Sequence, residues 1–390
     1  MKQDMKILII GGSGILSSAV VDCCLQKGYE VTMMNRGNNS TYTNYQANVI
    51  ICDAHNEQMV RAKTEGMHFD VVIDFIVYTK EQLERSLKLF SKIADQYIFI
   101  SSAQVYNTSI QKELIETDET PQPLWQYSVN KDICEKYLQS YCKEHRINYT
   151  IIRPGVNYDN RRIPYGMYPP IGMHWTMIAR ILSGKPIITW NKGRNKLNLT
   201  RVEDFAKGVV VLLGNKRAYN ESFNVCGDYV YSWQQVLDAI GENIGKHVAT
   251  IDVPLDNYAN ELNSEDREML LGGRACDLVL SNAKLKEVAP DFTSTIELKD
   301  GIHKTLEWYQ QSGYYFGFDY RWDAEQDRII KKNDNNFKLS FVNYSNADYL
   351  TTLGNLCTYK IEFYKGHRCF TRYWKLVRMF IYKPLKRILK

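Results

Sequence analysis

Over the first 155 residues, short apolar runs alternate with longer stretches of helical periodicity. Lys6–Ile10 (KILII) reads as a buried strand ending at Gly11, and an apolar-periodic segment follows through Cys24. Glu30–Met34 (EVTMM) and Val49–Cys52 (VIIC) read as a second and a third strand. Val71–Phe75 and Tyr97–Ile100 continue the series, and Tyr149–Ile152 (YTII) leads into Arg153-Pro154. Strands this rich in Ile and Val, separated by amphipathic helices, predict an α/β fold with a parallel sheet covered on both faces. Right-handed crossovers then make it doubly wound.

Past residue 155 the alternation loosens. Residues 158–175, rich in proline, glycine and aromatic side chains, are expected to form loops over a ligand rather than core. Val202–Leu213 as a helix and Phe223–Val225 as a strand predict a return to the sheet, and Trp233–Ile244 has helical spacing. Ile302–Tyr309 is expected to close the body of the protein.

Composition narrows the class without naming the chemistry. Apolar residues at 44% and charged residues at 24% are ordinary for a globular protein of this length. The apolar run at the N-terminus is too brief for a signal peptide or a membrane span, so a cytoplasmic location is expected. The nine cysteines are odd in number and scattered, with no CxxC or Cys/His cluster, which favours reduced thiols over disulfides or a zinc site; no metal is expected.

The first candidate for chemistry is Gly11-Gly12-Ser13-Gly14-Ile15-Leu16-Ser17, set between the first strand and the first helix. Backbone amides at a helix N-terminus approach a pyrophosphate closely only where side chains do not block them. Gly11 suits the tight turn, Gly14 admits the phosphate, and small Ser17 replaces the third glycine of the usual fingerprint. The second strand ends in Asn35-Arg36, where enzymes that prefer NAD carry an acid; arginine pairs with a 2′-phosphate, which tilts the expectation from NAD toward NADP. Stacking on adenine and plain solvation remain open for Arg36. Asp53, followed by Ala54, is placed either to accept a hydrogen bond from adenine or simply to cap a helix.

Tyr127-Ser128-Val129-Asn130-Lys131 puts a phenol and an ammonium on one helix face. A nearby cation and an oxidised nicotinamide ring would favour the phenolate, so that Tyr127 takes a hydroxyl proton as hydride leaves. The spacing alone is weak, because with 27 tyrosines it recurs by chance, as it does at Tyr382 and Lys386. Ser101-Ser102-Ala103-Gln104-Val105-Tyr106 supplies the context. A serine at the carboxyl end of a strand points into the cleft where open α/β sheets bind ligands.

These features resemble the extended short-chain dehydrogenase/reductase family, the NAD(P)-dependent sugar epimerases and dehydratases. The resemblance rests on Gly-Gly-Ser-Gly after the first strand, Ser-Ser-Ala-Gln-Val-Tyr at 101–106, Tyr127-xxx-Lys131 and Arg153-Pro154-Gly155-Val156-Asn157-Tyr158, in that order. Arg201-Val202-Glu203-Asp204-Phe205-Ala206 is similar to the later return to the sheet. The resemblance implies a Rossmann-type doubly wound body over 1–155 with returns near 190–227. A smaller mixed α/β substrate lobe over 156–312 and an extension over 313–390 follow.

It also implies Ser102, Tyr127 and Lys131 as catalytic residues. Gly11, Ser13, Gly14, Ile15, Leu16, Arg36, Asp53, Ala54, Ser101 and Pro154 join Tyr127 and Lys131 at the cofactor. Ser102, Gln104, Asn157, Arg194 and Arg274 are implied at a nucleotide sugar. For Arg274 and the basic, aromatic stretch Trp190, Lys192, Arg194 and Lys196, a solvated surface is the competing expectation. His174 and Trp175 line the pocket or start a packed helix. Ala103 and Gln104 stand where 4,6-dehydratases carry an acid pair, which favours an epimerase or reductase over a dehydratase. Val156 replaces an asparagine that touches the sugar nucleotide in many members.

Two other expectations come from outside that core. Residues 368–390 carry eight Lys or Arg, no acid, and interleaved Phe370, Tyr373, Trp374, Phe380 and Tyr382. Such a stretch suits an anionic membrane surface or an oligomer contact such as a homodimer; no specific nucleic acid is expected as a partner. A non-catalytic dinucleotide- or RNA-binding protein on the same fold is the alternative from another class.

Overall fold

A computed structural model describes residues 5–37, 46–109, 112–313, 317–344 and 349–365. The basic stretch 368–390 lies outside the described residues. No helix among the described residues is long and apolar enough to cross a membrane.

The chain begins β1 (Lys6–Ile10), α1 (Ile15–Gln26), β2 (Glu30–Asn35), β3 (Asn48–Ile51), α2 (Glu57–Thr64), β4 (Phe69–Asp74), α3 (Lys80–Phe90) and β5 (Ala94–Ile100). It continues with α4 (Gln126–His145), β6 (Asn148–Pro154), β7 (Val156–Tyr158), α5 (Trp175–Leu182), β8 (Ile187–Thr189), β9 (Lys196–Arg201), α6 (Val202–Val210) and β10 (Glu221–Val225). Then come β11 (Val230–Ser232), α7 (Trp233–Ile244), β12 (Thr250–Asp252), α8 (Leu255–Glu261) and α9 (Ser264–Met269). The last described elements are α10 (Ala283–Val288), α11 (Leu298–Gln311), α12 (Tyr320–Asn333) and α13 (Tyr349–Phe363).

Seven strands form one parallel sheet in the order β10-β6-β5-β4-β1-β2-β3, the doubly wound Rossmann-type arrangement. The period-two geometry of β1 sends Ile7 and Ile9 to one face, against Val20, Cys24, Phe205 and Val209, and Leu8 and Ile10 to the other, against Leu87, Cys134 and Leu138. Both faces are thereby dry, which is why the strand runs are continuously apolar rather than alternating. The register aligns the carboxyl ends: Ile10 pairs with Met34 and Asp74, and Ile100 pairs with Ile152. Gly11, Phe75, Ser101 and Pro154 therefore emerge along one edge.

The second lobe holds a three-stranded sheet, β11-β9-β7, and a two-stranded one, β12-β8. These short strands have no counterpart in the sequence reading. Residues 158–175 correct that reading further. Between β7 and α5 they are loop, but Tyr158, Ile163, Tyr165 and Met167 are buried in this lobe's core, because proline and glycine let irregular backbone turn its aromatic rings inward.

Residues 317–344 pack against the same core. Ile329 and Ile330 of α12 pack into the second lobe, and α13 lies against α12. Beneath them sits a buried charge cluster. Arg180 Nη1 and Lys185 Nζ both reach Asp323 at 2.7 Å, while Asp327 takes Arg180 Nη2 at 2.6 Å and Lys185 at 2.7 Å. The hydroxyls of Tyr344 and Tyr359 donate to Asp323 and Asp327. Removing one member of such a cluster strands the opposite charge in a dry interior. Asp327→Ala is expected to destabilise the protein by about 3–5 kcal/mol, read as a fall in the urea midpoint. An unchanged midpoint would show that the cluster does not hold α12 to the lobe.

Candidate active site

The carboxyl edge of the sheet opens into a cleft of about 730 Å³ between the two lobes. One wall is the glycine turn. Gly11 has φ +81°, and a Cβ there would come within 2.4 Å of the Ile76 side chain. Gly14 caps α1 without a side chain. Ser17 Oγ accepts the Gly14 N–H at 2.8 Å and donates to the Gly11 carbonyl at 2.6 Å, so the small residue in the third glycine position ties the turn shut. Gly11, Ser13, Gly14, Ile15 and Leu16 all line the cleft.

The opposite wall comes from α4. Lys131, 2% exposed, donates to the Val77 carbonyl at 2.6 Å and the Ile100 carbonyl at 2.8 Å, so its ammonium is held at the ends of β4 and β5. Burial lowers its pKa to about 8. Tyr127 packs on Trp125 with ring centroids 5.0 Å apart, and its ring lies 5.9 Å from Lys131 Nζ.

The expected lowering of the Tyr127 pKa by a nearby cation is not what the protein's own groups achieve. Burial pushes the phenol up to about 12, while a hydrogen bond from Ser102 and the charge of Arg274 pull weakly the other way. The Lys131 ammonium is occupied by carbonyls rather than by the phenol.

One network positions these groups. Glu135, one turn beyond Lys131, receives Arg153 at 2.5 and 3.0 Å and the Ser101 hydroxyl at 2.5 Å. Arg153 also donates to the Tyr106 hydroxyl at 2.8 Å, which in turn donates to Asn224 on β10. The arginine of the Arg-Pro motif therefore links α4, β5, β6 and β10 and does not line the cleft.

The far wall belongs to the second lobe. A single π-type turn, Leu270–Arg274, follows α9. Gly272 and Gly273 let it lie against Trp125 and Gln104, where a Cβ at either would fall within 2.7–2.8 Å of a neighbour. Trp190 and Trp233 both donate their indole N–H to the Arg274 carbonyl, at 3.0 and 2.9 Å. Arg274, Gln104 and Asn157 thus join Ser101, Ser102, Tyr127, Lys131 and Pro154 around one cavity.

Four candidates fall outside the cavity lining. Arg36 is exposed at the end of β2, and Ala54 packs at the edge of the core. Asp53 accepts the His55 N–H at 3.0 Å in a local turn, and the cap of α2 is Asn56 instead. Arg194 stands on an exposed turn after Trp190, and Lys192 and Lys196 are exposed beside it. Trp190 itself is fully buried. His174 and Trp175 are buried too, and His174 accepts the Ile163 N–H at 2.9 Å.

The cleft also contains residues that no spacing announced, notably Tyr78, Trp125, Arg161, Arg162, Tyr168 and Glu265. The only sequence signal for Arg162 and Tyr168 was their membership of the aromatic loop 158–175.

Two outcomes follow. Glu135→Ala leaves the Arg153 guanidinium buried without a countercharge, and a loss of about 3–5 kcal/mol in chemical denaturation is expected. Lys131 binds fewer protons when folded than unfolded between about pH 8 and its ordinary pKa of 10.5, so its contribution to stability rises with pH across that window. Lys131→Met should flatten that rise relative to the wild-type stability profile.

Comparison with known proteins agrees with this fold. Residues 7–226 match the NAD dependent epimerase/dehydratase family. The chain is 28% identical over 239 residues to the chloroplast stem-loop binding protein of 41 kDa b from Arabidopsis thaliana, covering 58% of this chain and 60% of that relative. It therefore spans about three fifths of that relative's length. Human dTDP-D-glucose 4,6-dehydratase is 20% identical over 338 residues, 79% of this chain and 90% of that protein.

Among solved structures, UDP-glucose 4-epimerase from Thermotoga maritima with UDP-glucose superposes with a TM-score of 0.63 at 19% identity, covering 79% of this chain and 99% of that one. UDP-glucuronic acid 4-epimerase from Bacillus cereus, in complex with UDP-glucuronic acid and NAD, gives a TM-score of 0.62 at 20% identity, with 79% and 100% covered. With the family match extending over more than half of its length and these folds superposing, the chain belongs to the NAD-dependent epimerase/dehydratase family.

Proposed function

We propose that the protein oxidises a hydroxyl of a nucleotide sugar by reversible hydride transfer, with Tyr127 as acid and base. The observation that carries this reading is that Ser102, Tyr127 and Lys131 line the same cleft as the Gly11–Gly14 turn. Gly11, Ser13, Gly14, Ile15 and Leu16 fit a dinucleotide pyrophosphate, since they line the cleft at the N-terminus of α1 and neither glycine carries a side chain. Ser101, Lys131 and Pro154 line the same cleft and would hold the nicotinamide and its ribose. A bound nicotinamide supplies the hydride acceptor and, when oxidised, a positive charge.

The phenol, at about 12 in the protein alone, needs such a charge to become a base at neutral pH. Ser102 donates to the phenol oxygen and is placed to align the substrate hydroxyl. Arg36 at the end of β2 tilts the preference toward NADP; titration with NADH and NADPH by fluorescence decides it.

Ala103 and Gln104 carry no ionisable group, which supports an epimerase or a reductase over a 4,6-dehydratase. An epimerase returns the hydride to the same carbon and shows no net change in cofactor absorbance, whereas a reductase consumes cofactor stoichiometrically.

Tyr127→Phe is expected to lower turnover by at least about a hundredfold while leaving dinucleotide affinity within about twofold. Undiminished turnover in that variant would remove Tyr127 from the chemistry.

A second reading, a non-catalytic RNA-binding protein on this fold, has the name of the Arabidopsis relative in its favour. It predicts retention of a labelled stem-loop RNA at physiological salt and no turnover of any nucleotide sugar by the wild type.

A further inference from the structure

Asp74 closes β4 at the cleft edge of the sheet, yet it is 1% exposed and does not line the cavity. A carboxylate in a dry interior persists only with hydrogen-bond donors and a countercharge. The donors are in place. Oδ1 accepts the Ile76 N–H at 2.9 Å, while Oδ2 accepts the Ser86 hydroxyl of α3 at 2.5 Å and the Tyr97 hydroxyl of β5 at 3.1 Å. Both oxygens are therefore acceptors, which is how an ionised carboxyl bonds.

The bond to Ile76 fixes a turn, residues 75–78, that touches both halves of the candidate site. The Ile76 side chain occupies the space a Cβ on Gly11 would need. The Val77 carbonyl accepts Lys131 Nζ at 2.6 Å. The Tyr78 ring stands 4.7 Å from that ammonium and 6.3 Å from the Tyr127 ring. Phe99, the partner of Asp74 across the sheet, covers the ammonium from β5 at 4.9 Å. At its far end the turn is pinned by Gln82 of α3, whose Oε1 accepts the Tyr78 N–H at 2.7 Å.

Lys131 is a buried cation bonded to carbonyls, and among the described residues no carboxylate is in ion-pair contact with it. Burial lowers its pKa to about 8, opposed by Cys134, Asp74 and Glu135. Burial pushes the Cys134 thiol up to about 11, so it is uncharged where Lys131 titrates. The phenols of Tyr78, Tyr97 and Tyr127 are raised by burial as well and stay neutral there. Glu135 is committed to Arg153. Asp74 is the acid that is left. Its own carboxyl is raised by burial, and Ser86, the Ile76 amide, Tyr97 and Lys131 each draw it back down.

We propose that Asp74 is the buried countercharge of Lys131, a positioning residue that keeps the lysine an ammonium and aims the Val77 carbonyl at it. The hydride-transfer reading is needed only to make Lys131 part of the machinery; the pairing itself belongs to the protein without ligand. The carboxylate lies outside the cavity, so it reaches dinucleotide and substrate only through the lysine and the turn.

The test is carbon-detected titration by NMR of the full chain carrying lysine labelled at Cε, with the Lys131 signal assigned by its loss in Lys131→Met. Asp74→Asn keeps an acceptor for the Ile76 N–H and removes the charge. Its Lys131 midpoint should lie about one to two pH units below that of the wild type. Linkage demands the reciprocal effect. The Asp74 carboxyl, followed through labelled aspartate Cγ, should titrate higher in Lys131→Met than in the wild type by the same amount. That second comparison decides the matter if Asp74→Asn does not fold.

A purely structural role would lower the melting temperature of Asp74→Asn and leave its Lys131 midpoint in place. An unchanged Lys131 midpoint in folded Asp74→Asn, or an Asp74 carboxyl indifferent to Lys131→Met, overturns the pairing. Neither measurement involves turnover. If the coupling is found and the wild type converts no nucleotide sugar, the pairing stands and the hydride-transfer reading falls.

Discussion

The contact between Arg153 and Glu135 organises the active end of this protein. Both groups are nearly inaccessible to water, and each satisfies the other in a bidentate pair that also captures the Ser101 hydroxyl. In a dry interior such a pair adds little net stability over an apolar substitute, but breaking it is severe, and its geometry is exacting. It fixes the rotation of α4 about its own axis relative to the ends of β5 and β6. Lys131, one turn earlier on the same face, is thereby delivered to the carbonyls of Val77 and Ile100, and Tyr127, one turn earlier again, to Ser102. Tyr106 and Asn224 extend the same constraint to the sheet's edge strand.

The two lobes divide the work by chemistry. The sheet side presents backbone amides, small hydroxyls and one buried ammonium, which suits a ligand of phosphates and ribose. The second lobe contributes guanidiniums, aromatic rings and unpaired amide oxygens, held by indole N–H groups on the Arg274 carbonyl. The helices beyond residue 317 support that lobe from behind through α5, whose Arg180 is buried against two aspartates. The described part of the extension is thus continuous with the core of the second lobe.

Much of the candidate site was legible because it is local. The glycine turn depends on backbone conformations that only particular residues allow, and its position between a strand and a helix follows from the apolar pattern. Tyr127 and Lys131 are one helical turn apart, so their common face is set by the 3.6-residue repeat. Ser101 and Ser102 follow a strand end directly. By contrast, Arg194 carries the same charge and aromatic neighbourhood in sequence as a ligand-binding arginine, yet it sits on an exposed turn. Charge alone does not say which side of a turn faces a cleft.

The sequence by itself determined the parallel sheet, its order of alternation with helices and the identity of the residues at its carboxyl edge, since these depend on period and on neighbours a few positions apart. Only the tertiary structure decided which distant groups meet. Arg162, Tyr168 and Arg274 are brought together by irregular backbone and a π-type turn, neither of which has a periodic signature. It decided, too, that burial of Tyr127 outweighs its polar neighbours, because the solvation of a phenol is a property of everything packed around it and not of the residues beside it in the chain.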